Sequence, residues 1–289
     1  MTSQEFVVED TIQHSARQFA RTTLVSFGQL TSALRMPPSF IIAGAQRCAT
    51  TSLFRMLSRH PQVRQPTLNK GIHFFDTAER FSRGASFYAG HFPLRLPWND
   101  RRISGEASPY YLFHPLAMQR IAQTAPQAQV IVLLRDPVER AFSAYKQEKG
   151  RGFETLGFEE ALASEEERLT GEEAKIIADP EYQSFAHQHF GYVARGHYTY
   201  QLERANKALA PGKLTVLDAD AFFNPGLEGW DALLGQIGLD PWRPQEIIRS
   251  NARPGDPMPE HLRASLEAEF HGENSQLSEY LGFIPSWLK

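Results

Sequence analysis

The chain has one cysteine in 289 residues, Cys48. No intrachain disulfide can form, so packing has to hold the fold, and a lone thiol fits a reducing, cytoplasmic location. An excess of one charge sign is also missing: 30 Lys and Arg stand against 33 Asp and Glu, for a net charge of -3. A non-specific nucleic-acid binder needs a basic surplus, so that partner class is set aside, although a local basic pocket is not. No apolar run approaches the roughly 18 residues of a spanning helix. A secretory leader is not expected either, because Glu5, Glu9 and Asp10 stand where a basic stretch belongs. His187 and His189 form an HQH run that could face one side of a strand and bind metal. No Cys or acidic cluster at metal-ligand spacing accompanies them, so no metal is expected.

What is present is enough apolar content, 42%, to bury a core without staples. Ile12, Ala16, Phe19, Thr23, Phe27, Leu30 and Leu34 recur at helical spacing, with Arg17 and Arg21 on the other side. Residues 1–38 are therefore read as an N-terminal helical extension. It either packs on the domain or lies on a membrane surface through residues 1–36, an organelle presequence being the third option. Met36-Pro37-Pro38 ends it. Residues 39–289 are read as one α/β domain. Apolar strands are expected at 39–43, 130–134 and 213–217. Helices are expected at 50–58, from 137, through 218–239, at 259–270 and at 276–281. Strands alternating with helices imply a mostly parallel sheet, whose ligands sit beyond the carboxyl ends of its strands.

Two loops fall at such ends. In FIIAGAQRCATTSLFRML, residues 40–57, Gly44 allows a sharp turn and the helix beginning near Thr50 points its positive end into the loop. Arg47 adds a charge, and Thr50, Thr51 and Ser52 add hydroxyl donors. An anion cradle and a plain strand–turn–helix are both consistent with this. A nucleoside-triphosphate loop would read GxxxxGK[ST]; here no Lys precedes the Thr pair, and Ala49 stands where the second Gly would fall. Cys48 is read as an ordinary loop residue rather than a nucleophile. In VIVLLRDPVERAFSAYKQE, residues 130–148, Arg135 ends a buried strand, Asp136-Pro137 opens a helix and Ser143 lies about two turns in. Arg135 either presents a bidentate fork to a phosphate or pairs with Asp136 or Glu139.

Together these strings resemble sulfotransferases that use 3′-phosphoadenosine 5′-phosphosulfate (PAPS), in particular bacterial proteins related to the heparan sulfate enzymes. The first loop is similar to GAQKAGTTSL, with Arg47 for Lys and Ala49 for Gly. The second is similar to RDPVERAYSHY, without a gap from Arg135 to Ala141 and again at Ser143 and Tyr145. GEASPYYLFHP (105–115) and RGHYTYQLE (195–203) resemble further blocks of the same proteins. The resemblance covers most of 39–289 and implies a P-loop-like sulfotransferase fold. It implies that Gln46, Arg47, Cys48, Ala49, Thr50, Thr51 and Ser52 bind the phosphosulfate end of PAPS. Arg135 and Ser143 would take the 3′-phosphate, with Arg195 and Arg253 as further contacts.

NKGIHFFD (69–76) resembles the block KExHFFD, in which Lys approaches the sulfuryl group and Glu is the base. Lys70, His73, Phe74, Phe75 and Asp76 are kept, but Gly71 replaces the Glu. His73 is the first choice as replacement base, with a structural histidine bonded to backbone as its other reading; Glu106 is the second choice and instead orients His73 or binds Lys70 in its other reading. Phe74, Phe75, Tyr110 and Tyr111 are read as core by default, with an acceptor cleft as the alternative. The implied function is PAPS-dependent sulfuryl transfer, without metal, to a carbohydrate or other hydroxyl, with an amine in second place. The rival readings are a protein that binds PAPS or its bisphosphate product without turnover, and a P-loop nucleotide kinase.

Overall fold

The computed structural model describes residues 23–67, 70–95, 101–224, 226–247 and 257–289. Five parallel strands form one sheet in the order β2-β3-β1-β4-β5. They are β1 (Pro38–Gly44), β2 (Val63–Arg64), β3 (Ile103–Ala107), β4 (Gln129–Leu134) and β5 (Leu214–Asp218). β1 and β4 read as continuous apolar runs because helices cover both faces of a parallel sheet. Phe40, Ile41, Ile42 and Val130 through Leu133 are all fully buried. The two-residue β2 lacks such a run and carries no local strand signal. Glu106 lies within β3, a strand not among those expected.

The order decides where ligands can bind. From β1 the chain builds β2 and β3 to one side, then crosses to β4 and β5 on the other. The reversal leaves a crevice beyond the carboxyl ends of β1, β3 and β4, where crossover loops part. Helix Thr50–Leu57 follows β1, and helix Pro137–Arg151 follows β4. The latter starts cleanly: Asp136 Oδ1 accepts from the Val138 N–H at 2.9 Å, and Pro137 takes a first-turn position that needs no donor.

Two helix expectations are corrected. The segments 259–270 and 276–281 are one helix, Glu260–Leu281. Phe270 and Leu277 are both fully buried, and their packing carries the helix through Gly272, which local propensity would break. The HQH run is helical, Phe185–His189, not a strand. A second apolar cluster, including Val138, Ala141, Tyr192, Leu266 and Phe270, clamps helix Pro137–Arg151 to the C-terminal helix. Of the N-terminal extension, residues 23–30 are helical and Ser32–Leu34 form a 3-10 turn. The expectations for Ile12, Ala16, Arg17, Phe19 and Arg21 lie outside the described residues, as does that for Arg253. No helix among the described residues is long and apolar enough to cross a membrane.

Candidate active site

The crevice is a cavity of about 910 Å³ lined by both anion loops and by the 70–73 segment. In the first loop, the Ala45 N–H bonds to Leu133 O at 2.8 Å, tying the turn to β4. Ala49 then caps the helix in a left-handed conformation, φ 58°. Gln46, Arg47, Ala49, Thr50, Thr51 and Ser52 all line the cavity. Cys48 does not. Its side chain is fully buried against the Tyr198 hydroxyl, 3.7 Å away, and burial pushes the thiol up to about 11, out of reach of thiolate chemistry.

The two motifs meet directly. Arg47 Nε donates to Ser143 Oγ at 2.9 Å, and a terminal nitrogen donates to Gln147 Oε1 at 2.6 Å. Arg135 shares this cavity, 3.6 Å from Glu139 Oε2. A half-buried pair at that distance is longer than a direct hydrogen bond, so a doubly charged ligand can displace it. Glu139 also accepts from Arg263 at 2.5 Å. One face of helix Pro137–Arg151 therefore supplies Ser143, Lys146, Gln147 and Arg151 to the wall. Sequence reading named only Ser143. The steps of three and four from it would have pointed to the others.

Arg195 is placed differently from its expected position. It does not line the cavity but is buried behind it, donating to Gln46 Oε1 and to the carbonyls of His187 and Gln188 at 2.8 and 2.7 Å. Tyr110 and Phe113 flank its guanidinium at 4.8 and 4.9 Å. Burial lowers it to about 10, so it stays charged at neutral pH and acts on the cavity through Gln46. His187 is buried too, stacked on Phe113 and bonded to the Tyr110 hydroxyl at 2.7 Å; burial pulls it down to about 3. His189 reaches the cavity wall with Nδ1 held by Glu148 at 3.0 Å.

On the opposite wall, Lys70 Nζ donates to Thr51 Oγ1 at 2.5 Å, joining the third block to the first loop. Burial and then the charge of Arg55 draw its ammonium below the ordinary lysine range. His73 lines the cavity with Nδ1 2.8 Å from Asp76 Oδ2. A carboxylate can only accept, so Nδ1 carries the proton and Nε2 is the basic nitrogen. Burial pushes the imidazole down, but the charge and hydrogen bond of Asp76 outweigh it and the net shift is upward. His73 has φ 51°, an uncommon conformation, held because its N–H donates to Ser108 Oγ at 3.0 Å.

Glu106 sits beneath this segment rather than in the cavity. It is fully buried and accepts from Ile72 N, Ser108 Oγ, the Tyr88 hydroxyl and the Tyr111 hydroxyl at 2.7 to 3.1 Å. Four donors leave it no lone pair aimed at a substrate, and neither Lys70 nor the His73 ring is among them. Burial raises its carboxyl above the usual range. Its bonds to Ile72 and Ser108 fix the backbone that carries His73. Phe74, Phe75 and Tyr111 are core, whereas Tyr110 touches the cavity. Gly71 is demanded by close packing: a Cβ there would lie 2.9 Å from Ala107 O. It would also lie 3.4 Å from His73 Nε2, so the imidazole occupies the space beside a side chain at 71.

Residues 37–220 match the family described as the sulfotransferase domain. Heparan sulfate glucosamine 3-O-sulfotransferase 6 of Mus musculus is 28% identical over 86% of this chain and 73% of its own length. The membrane-associated sulfotransferase kil1 of Dictyostelium discoideum is 36% identical, over 37% of this chain and 22% of its own length. The bifunctional heparan sulfate N-deacetylase/N-sulfotransferase 1 of Caenorhabditis elegans is 23% identical over 87% of this chain and 31% of its own length. The chain thus spans less than a third of the last two. The crystal structure of a sulfotransferase from Alicyclobacillus acidocaldarius superposes with a TM-score of 0.66 and 28% identity, over 86% of this chain and 97% of that one. With both anion loops and the 70–76 block gathered at one sheet end, and the match running across more than half its length, the chain belongs to the sulfotransferase domain family of enzymes.

Proposed function

We propose that this cavity binds PAPS and transfers its sulfuryl group to a hydroxyl of a carbohydrate or other hydroxylated acceptor. The observation that carries the reading is the Arg47–Ser143 hydrogen bond, which closes two anion loops 96 residues apart into one site. The donor set fits a molecule anionic at both ends. Lys70, Arg47 and the hydroxyls of Thr50, Thr51 and Ser52 face the phosphosulfate, and Arg135 with Ser143 faces the 3′-phosphate. The carbohydrate part draws on the relatives named for heparan sulfate.

In the step we propose, the acceptor oxygen attacks sulfur as the bond from sulfur to the phosphate oxygen breaks. The electron pair stays on that oxygen, and 3′-phosphoadenosine 5′-phosphate (PAP) leaves. The acceptor proton passes to His73 Nε2, and Asp76 stabilises the imidazolium. Lys70 and Arg47 offset charge growing on the leaving side. Calorimetry with PAP against ADP and ATP tests the pocket, and radiolabelled sulfate transfer to a panel of glycans, small alcohols and amines tests the reaction. We expect selective PAP binding and label on a hydroxylated acceptor. PAP binding with no label on any acceptor would overturn the catalytic reading, and preference for ATP would overturn the donor.

A further inference from the structure

We propose, on the sulfuryl-transfer reading of this cavity, that Glu148 is a positioning residue for a polyhydroxylated acceptor, acting chiefly through His189. Glu148 is 1% exposed and does not line the cavity itself. A buried carboxylate is costly unless donors surround it. The three that hold this one all come from the cavity wall. Gln147 Nε2 and Arg151 Nη1 donate to Oε1, each at 3.3 Å, and His189 Nδ1 lies 3.0 Å from Oε2.

These bonds fix which atoms are left for a ligand. A carboxylate only accepts, so His189 carries its proton on Nδ1 and keeps Nε2 as a hydrogen-bond acceptor. The rings of Phe153 and Phe185 flank the imidazole, with centroids at 4.7 and 4.4 Å, and hold its tilt. Gln147 is fixed at both ends, its Oε1 accepting from Arg47 at 2.6 Å while its Nε2 is engaged by Glu148.

The sheet order says which half of the cavity this wall serves. Arg135 follows β4, so the 3′-phosphate of the donor lies toward β4 and β5. His73 is held by Ser108 just past the end of β3, on the other side of β1, and Tyr110 follows it there. Arg195 ties the His189 wall to that second half. It donates to the Gln188 carbonyl at 2.7 Å and has the Tyr110 ring against its guanidinium at 4.8 Å. An acceptor whose reacting hydroxyl meets His73 Nε2 therefore runs between Tyr110 and the Gln188–His189 wall. His189 Nε2 takes a hydrogen bond from a second hydroxyl of the same molecule. A sugar supplies that second hydroxyl, and a monohydric alcohol does not.

Steady-state kinetics with PAPS and the best-labelled glycan of the acceptor panel, beside calorimetry with PAP, test this. His189→Ala and Glu148→Gln should each raise the acceptor KM about tenfold, with kcat changed far less and PAP affinity within about twofold of the parent. The double variant should cost less than the product of the two single effects, because one side chain acts through the other. Imidazole nitrogen NMR of the parent protein should place the His189 proton on Nδ1. Unchanged acceptor KM in both single variants, fully multiplicative effects, label confined to monohydric alcohols, or the proton on Nε2 would each overturn the proposal and leave the transfer reaction standing. A urea midpoint and a PAP affinity that fall in step with the rise in KM would make Glu148 a purely structural residue and overturn it too. Label on no acceptor, by contrast, removes this role and the catalytic reading together.

Discussion

His73, which lines the candidate site, and buried Asp76 behind it form a hydrogen-bonded pair that can take a proton. Because Asp76 raises His73 above its ordinary value, the neutral form that accepts a proton is lost earlier as pH falls. The acidic limb of kcat/KM should therefore be centred above the usual histidine value, with rate rising with pH. Asp76→Asn should move that limb to lower pH and lower kcat, and His73→Ala should cost about a hundredfold or more in kcat while leaving PAP affinity near the parent value. A pH–rate series on the three proteins checks this, and an unshifted limb in Asp76→Asn removes the pair from the mechanism. Backbone at two positions lining the cavity is tested by opposite changes. Ala49 holds a left-handed φ that glycine adopts without cost, so Ala49→Gly should stabilise the fold by about 1 kcal/mol in urea titration. Gly71→Glu, which restores the family residue, should instead destabilise by about 2 kcal/mol and not raise kcat, because its Cβ would press on Ala107 O. The proposed base, His73, was legible in HFFD as a residue type. Its partner Asp76 and the space it fills beside Gly71 were not, since they depend on a turn that only contacts with Ser108 and Glu106 hold in place.

Helix Pro137–Arg151 is the element on which the proposed 3′-phosphate site is mounted. Its start is fixed locally by Asp136 and Pro137, but its direction is set by the apolar cluster that clamps it to the C-terminal helix. Ser143 and Arg135 lie outside that cluster, so their truncation should be read in binding rather than folding. Ser143→Ala and Arg135→Ala should each weaken PAP binding, the arginine variant by about ten- to a hundredfold, with the denaturation midpoint within experimental error of the parent. Calorimetry beside urea titration separates the two effects. If both variants lose stability and affinity in parallel, the side chains hold the helix and not the ligand. The C-terminal helix it packs against marks where local reading fails. Glu260–Leu281 looked like two helices because Gly272 and its polar neighbours interrupt the pattern. Burial of Phe270 and Leu277 on either side outweighs roughly 1 kcal/mol of propensity.

At the scale of the whole molecule, the sheet order gathers residues distant in the chain beyond the carboxyl ends of the central strands, and a ligand that bridges them should brace the fold. PAP at about a hundred times its dissociation constant should stabilise by about 2.7 kcal/mol, raising Tm by several degrees, whereas ATP at equal concentration should do much less. Differential scanning fluorimetry measures both, and equal shifts from the two nucleotides would contradict a pocket built for a 3′-phosphate.

By itself the sequence determined the parallel α/β class, the two polar loops after β1 and β4 and the helix starts that follow them. Each of these is written in local signals, namely apolar runs, turn residues, helix caps and motif spelling. Only the tertiary structure decided which of the named residues share a cavity. It turned Arg195, Cys48 and Glu106 away from it and brought Lys146, Gln147, Arg151 and His189 in. Motif spacing says which residues sit near a strand end. Whether a side chain faces ligand or core is settled by competition for buried hydrogen-bond partners, and those partners come from elements far away in the chain.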